Sequence, residues 1–213
     1  MNKLLRDCDG SSLVEFTLVF PVFMLVAFGT VDVSLMLFDW AQADKAAFIG
    51  ARTAVVSNPL ASGINNLTYA NQGTQLGQLC FTSSGTANAS AGCPTVTTVC
   101  TPGATVGTGT CSGGYTYDDT ALPTILANMQ IIFPRIGRQN MQISYQTTGL
   151  GFVGRPNGLP MNVTVTIRCM THQLYFLGAL MQWTFPSPPS GCPAVAPGPA
   201  IPSYSTTLPS EAL

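Results

Sequence analysis

The chain has 213 residues, with 8 Lys+Arg against 9 Asp+Glu, one His and a formal net charge of -1. Charged residues make up 8%, against about 25% in an ordinary soluble domain, and no basic patch offers phosphates a partner, so nothing points to nucleic acid. The length suits one domain, with room for an anchor.

The N-terminal segment MNKLLRDCDG (residues 1–10) is polar and ends in Gly10. No charge occurs from Phe16 to Val31; Asp32 interrupts, and VSLMLF continues to Phe38. That stretch exceeds the roughly 20 helical residues that cross a ~30 Å hydrocarbon core, provided Asp32 sits towards the outer interface. Four readings compete. A buried core helix leaves the export-type cysteines further along unexplained. A signal peptide cut near Ala27-Phe28-Gly29 is opposed by Asp7, Asp9 and Glu15, where a basic region with more than Lys3 and Arg6 is the rule. A simple signal anchor ignores Glu15. A prepilin-type leader accounts for it: cleavage between Gly10 and Ser11 makes Ser11 the first residue and Glu15 the fifth. The new α-ammonium and the carboxylate are then four apart on one helical face. An unpaired carboxylate in lipid costs about 2.5–3.5 kcal/mol on insertion scales. An ammonium, its own or that of a neighbouring subunit, removes much of that cost. The plainer alternative is a Glu15 that snorkels to water.

FDWAQADKAAFIGARTAVV continues the helix as far as Asn58-Pro59, since Ala is frequent and no Pro intervenes. A single helix from Ser12 to Val56 would be roughly 65 Å long at ~1.5 Å per residue, with a kink expected at Pro21. Small residues recur every four: Ala43, Ala47, Ala51, and Ala46, Gly50, Ala54. Such stripes admit close approach of another helix, or pack on the chain's own globular part.

Taken together, G-S-S-L-V-E-F at 10–16, Pro21, F-G-T-V-D at 28–32 and A-A-F-I-G-A-R-T-A-V-V at 46–56 resemble the TadE-like pseudopilins, minor prepilin-like proteins of the tight-adherence (Flp) pilus system. The closing S-E-A-L, with Glu211, is a faint echo of the same family. The resemblance implies cleavage at Gly10 by an inner-membrane prepilin peptidase, with Glu15 and Phe16 as the assembly pair. It also implies a sister pseudopilin, pilus subunits, an inner-membrane assembly platform and the lipid bilayer as partners. Ser11-Ser12 departs from the small apolar residues usual there, which makes the first turn more polar.

Six of the seven cysteines follow the apolar run: Cys80, Cys93, Cys100, Cys111, Cys169 and Cys192; Cys8 precedes it. An even set in a low-charge Thr/Gly-rich segment reads as three disulfides in an oxidising compartment, with the pairing open. Metal is disfavoured, because no C-x-x-C occurs and His172 is the sole imidazole. Residues 58–118 show no helical period; TVTTV at 95–99 is a short strand candidate, and GTGTCSGGYTY reads as turns. Asp118-Asp119-Thr120 is placed to cap a helix over 121–133, with Leu122, Ile125, Leu126, Met129, Ile132 and Phe133 on one face. MQISYQT (141–147) and MNVTVTIRC (161–169) alternate as an antiparallel hairpin on which that helix packs, joined by a long turn. HQLYFLGALMQW (172–183) reads as a short helix, too short for a second span. A Pro-rich loop pinned by Cys192 follows, then a last strand, YSTTL at 204–208.

No catalytic constellation emerges: His172 has no acid near it in sequence, and no phosphate-binding loop follows a strand. The expected architecture is α+β: a long N-terminal transmembrane helix, then a small disulfide-bonded domain with an antiparallel sheet and one or two packed helices. The expected division is leader 1–10, membrane and spine helix 11–57 and periplasmic domain 58–213. No cofactor and no enzymatic activity are expected. The function expected is support of pilus biogenesis or initiation. The alternatives are a membrane-anchored cell-envelope binding module and a secreted disulfide-rich protein.

Overall fold

The computed structural model describes residues 9–68, 76–80, 93, 95–156, 158–178, 192 and 199–210, with side chains from residue 13 onward. Residues 1–8, including Cys8, and Glu211 lie outside the described residues.

Helix α1, Asp9–Val56, runs unbroken for 48 residues, through Pro21, about 72 Å at 1.5 Å per residue. Its hydroxyls do not stand idle among apolar neighbours. Thr17, Thr30 and Ser34 donate to the carbonyls of Val14, Ala27 and Thr30 at 2.9, 2.7 and 2.7 Å, one turn back. The helix has two regimes. Leu13, Phe16, Leu18, Phe23 and Val26 point outward on all sides and are exposed. From Asp32 upward one face is covered: Asp32, Ala43, Ala46, Ala47, Gly50, Ala51 and Ala54 are buried. The small-residue stripes are therefore spent on the chain's own core. Gly50 shows how closely: a Cβ there would stand 2.5 Å from Met129 Sδ.

What covers that face is an antiparallel sheet and a second helix. Strands β1 (Ala61–Ser62), β2 (Thr97–Pro102), β3 (Gly109–Cys111) and β4 (Thr116–Tyr117) precede helix α2 (Leu122–Ile132). After α2 come β5 (Met141–Thr147), β6 (Met161–Ile167), β7 (Met170–Thr171), β8 (Ala200–Ile201) and β9 (Tyr204–Ser210). The five-stranded sheet has the order β3-β2-β5-β6-β9, every neighbour antiparallel. Alternation sets its faces: Met141, Ile143 and Tyr145 of β5 and Met161, Val163, Val165 and Ile167 of β6 are all buried. This face packs on α1 through β6 and β9. Helix α2 rests chiefly on α1 rather than on the β5–β6 hairpin, with Asn128 Nδ2 donating to Thr53 Oγ1 at 3.3 Å. Tyr145 is fully buried, and its hydroxyl accepts the Leu60 N–H at 3.0 Å. Burial pushes that phenol up to about 12, partly offset by the Leu60 bond.

Several expectations are corrected. GTGTCSGGYTY is not all turn. It supplies β3 and β4, because Cys100 and Cys111 are register partners across β2–β3 and Ala61–Ser62 offers β4 an edge. Strand β2 starts two residues and ends three residues further on than 95–99. Asp118 and Asp119 do not cap α2: its N-cap is Ala121, with no side-chain bond. The 148–158 turn is tied down, since Gly77 and Cys80 donate to Val153 and Gly151 at 2.9 and 3.0 Å and Val153 donates to Gln78 at 2.9 Å. There Cys80, Val153 and Leu159 form a small second core. All six cysteines after the apolar run stand at disulfide distance: Cys80 with Cys93, Cys100 with Cys111 and Cys169 with Cys192, Cα atoms 5.5, 4.1 and 5.3 Å apart.

Candidate functional site

Two regions of α1 carry the chemistry. The first is its start. Gly10 and Ser11 lie in the opening turn. Glu15 follows one turn after Ser11, on the same face, and is exposed beside exposed Phe16. The Phe16 ring meets that of Phe20 at a tilt of 31°, centroids 5.3 Å apart. Among the described residues no cation pairs with Glu15. Among the described residues one helix is long and apolar enough to cross a membrane, Leu13–Val56, and the most apolar window on it is almost wholly unburied. A lone carboxylate at the edge of such a surface is expensive in lipid unless an ammonium meets it.

The second region is a collar where the bare part of α1 enters the folded domain. Asp32 and Asp39, two turns apart, share the face that the domain covers. Asp32 is fully buried. Its carboxylate accepts the backbone N–H groups of Tyr175, Phe176 and Leu177 at 3.1, 3.0 and 2.8 Å. Three convergent N–H donors are the ordinary way of holding a buried carboxylate. The segment that donates them lies flat on the helix: Phe176 stacks on Phe28 at 4.6 Å, and Leu177 covers Gly29, 3.5 Å from where a Cβ would stand.

One step above, Asp39 Oδ2 takes His172 Nδ1 at 2.5 Å and also pairs with Arg135 Nη2. The His172 side chain is 3% exposed, and its backbone N–H bonds Pro199 O at 2.9 Å. His172, which has no acid near it in sequence, receives one from the fold, which brings Asp39 to it across 133 positions. The arrangement is a clamp: one carboxylate joins α1, the chain after α2 and the strand end before residue 173. The expected helix over 172–183 is also corrected in part, since residues 172–177 are non-helical and 179–183 lie outside the described residues. The clamp residues Asp39, Arg135 and His172 were missed from sequence. The legible signal was the seven-residue spacing of Asp32 and Asp39, which puts on one helical face the only two charges between Phe16 and Ala43.

A third polar cluster is structural. Asp119 accepts the Gly107 N–H at 2.8 Å, the Tyr117 hydroxyl at 2.7 Å and Arg138 Nη2 at 2.5 Å. Burial alone would raise the Asp119 carboxyl, but the bonds from Gly107, Arg138 and Tyr117 bring it below the usual carboxylate range. Asp118 is lowered as well, by the hydroxyl and N–H of Thr120. Burial, then the bond and charge of Asp119, drive the Tyr117 phenol strongly up.

No curated protein and no solved structure matches this chain. Residues 10–52, which hold Gly10, Glu15, the bare apolar surface, both collar aspartates and most of the small-residue face, match the family model described as TadE-like protein, and that family points to a role in Tad/Flp pilus systems.

Proposed function

We propose that the chain is a non-catalytic minor pseudopilin that supports biogenesis or initiation of a Flp-type adhesive pilus. The observation that carries this reading is the exposed apolar half of α1, preceded by Gly10 and marked only by Glu15, inside the matched segment. In this reading residues 1–10 are removed by a prepilin peptidase between Gly10 and Ser11. Residues 11–57 form the helix that lies in the inner membrane, and residues 58–213 belong to the periplasmic side. Cysteine pairs favour an oxidising compartment, which supports that orientation. The α-ammonium exposed at Ser11, or that of a neighbouring subunit, then meets Glu15 and offsets much of an insertion cost of about 2.5–3.5 kcal/mol. Docking against a pilin or a sister pseudopilin is thereby favoured at one register. The assembly platform and the bilayer complete the set of partners.

Mass spectrometry of the native N-terminus tests the reading. It is expected to find Ser11 first when the peptidase is present, and Met1 when it is absent. A mature chain that starts at Met1 in wild-type cells, or at Thr30 or later, overturns it. Glu15→Ala is expected to leave insertion and cleavage intact and to abolish piliation; full piliation refutes the register role.

A further inference from the structure

A ~30 Å hydrocarbon layer takes about 20 helical residues. Counted from just after Glu15, it ends near Leu35. Phe28 to Asp32 then lie about 5–10 Å inside the layer on the side of the folded domain, the depth at which interfacial elements settle. At this depth the structure places a second piece of chain. Phe176 stacks on Phe28, Leu177 covers Gly29, and the N–H groups of residues 175 to 177 close on Asp32. The two rings of this segment are large and open outward: Tyr175 is 70% exposed, and Phe176, although stacked on Phe28, is still 48% exposed. Non-helical backbone survives at membrane depth only when its polar groups are satisfied within the protein. Here the carboxylate and the three N–H groups satisfy each other, which lowers the cost of holding both at that depth. An amphipathic ring such as Tyr is at home at the boundary of headgroups and acyl chains.

We propose that residues 174–178 form a second membrane contact, an aromatic wedge in the leaflet nearest the folded domain, held at that depth by Asp32. The occupant of this surface is lipid, because the wedge is continuous with the lipid-facing flank of α1. The wedge gives the domain a fixed height and facing on the bilayer, which a single helix that can spin about its axis does not. The inference rests on the reading that α1 spans the membrane.

The test places the photoreactive residue p-benzoylphenylalanine, one site at a time, at Val22, Val56, Tyr175 or Phe176 of the full chain. The chain is held in phosphatidylcholine–phosphatidylglycerol vesicles, and adducts are read by mass spectrometry. Val22 is the in-span reference. Val56, 83% exposed at the far end of α1, is the out-of-membrane reference. Lipid adducts at 175 and 176 at least tenfold above those at 56, and comparable to those at 22, are expected. Adducts at 22 with none at 175 and 176, or only chain-to-chain adducts there, overturn the wedge and leave the span intact. No lipid adduct at 22 overturns the span, and the wedge with it. Asp32→Ala is expected to cut the adducts at 176 severalfold while those at 22 and the cysteine pairing are unchanged; an unaltered yield at 176 refutes the holding role of Asp32.

Discussion

Asp118 and Asp119 are neighbours of the same type, yet the structure gives them very different weights. Asp119 joins three separate pieces of chain: the 103–108 turn through Gly107, β4 through Tyr117, and the chain after α2 through Arg138. Both side chains of the Asp119–Arg138 pair are 13% exposed. Asp119→Ala removes the acceptor and leaves a nearly buried guanidinium and a phenol without their partner. Breaking a buried pair from one side costs about 3–5 kcal/mol, and the residual exposure argues for the low end, about 3 kcal/mol. For a chain of this size each kcal/mol shifts Tm by about 2–4 °C, so a loss of about 6–12 °C is expected. Among the described residues the Asp118 carboxylate bonds only to Thr120, two residues on, at an exposed site, so Asp118→Ala, which leaves its backbone bond to Leu60 in place, is expected to stay within about 0.5 kcal/mol. Thermal unfolding of the full chain in one detergent, followed by near-ultraviolet circular dichroism, reads both variants. Equal shifts for the two, or a loss of less than about 2 °C for Asp119→Ala, refute the reasoning that the three-way acceptor holds these segments together.

The same carboxylate sets a pH limb. Its folded pKa lies below the unfolded value, so its stabilisation is complete above the ordinary value of ~3.9 and is lost as pH falls through the lowered one. Asp119→Asn is expected to flatten stability between about pH 5 and 2, measured by Tm against pH, and an unchanged acid limb contradicts this. Gly158→Ala puts a Cβ 2.4 Å from the carbonyl oxygen of Asn65 at a φ of +78, where backbone meets backbone. A loss of about 2–5 kcal/mol is expected from left-handed strain plus overpacking, checked by urea unfolding. Replacing Cys100 and Cys111 together by Ser opens a loop of 11 residues and is expected to cost about 3 kcal/mol in the chain-entropy account; peptide mapping of the native protein should first show the three pairs seen here.

Helix α1 could be read from its composition alone, because a long apolar run, broken only by Asp32 and followed by alanines, admits little else. The β5–β6 hairpin was equally plain, since MQISYQT and MNVTVTI alternate strictly and each inner residue is buried. Strand β9 was expected over 204–208 and runs on to Ser210, because Pro209 is tolerated on an edge strand. Strands β3 and β4 were hidden in Thr- and Gly-rich chain whose own propensity is that of turns. They exist because a cysteine pair and a neighbouring edge are supplied from elsewhere. The collar was hidden for another reason. Asp39, Arg135 and His172 are far apart along the chain, and only tertiary closure makes them a unit. Glu15 and Phe16, proposed for assembly, are exposed on α1, and the spacing of Gly10, Ser11 and Glu15 that suggests a leader is legible only along the sequence.

The alanine face of α1 bears on how the protein can be cut for laboratory use. Ala43, Ala46, Ala47, Ala51 and Ala54 share one core with Ile143, Val163, Val165 and Ile167. A fragment begun at residue 58 would discard that wall and leave the sheet's oily side to water, inviting precipitation. A piece begun at about residue 38 would keep the wall, retain Asp39 for its clamp and shed most of the lipid-loving stem, making it the sensible starting point for a soluble version.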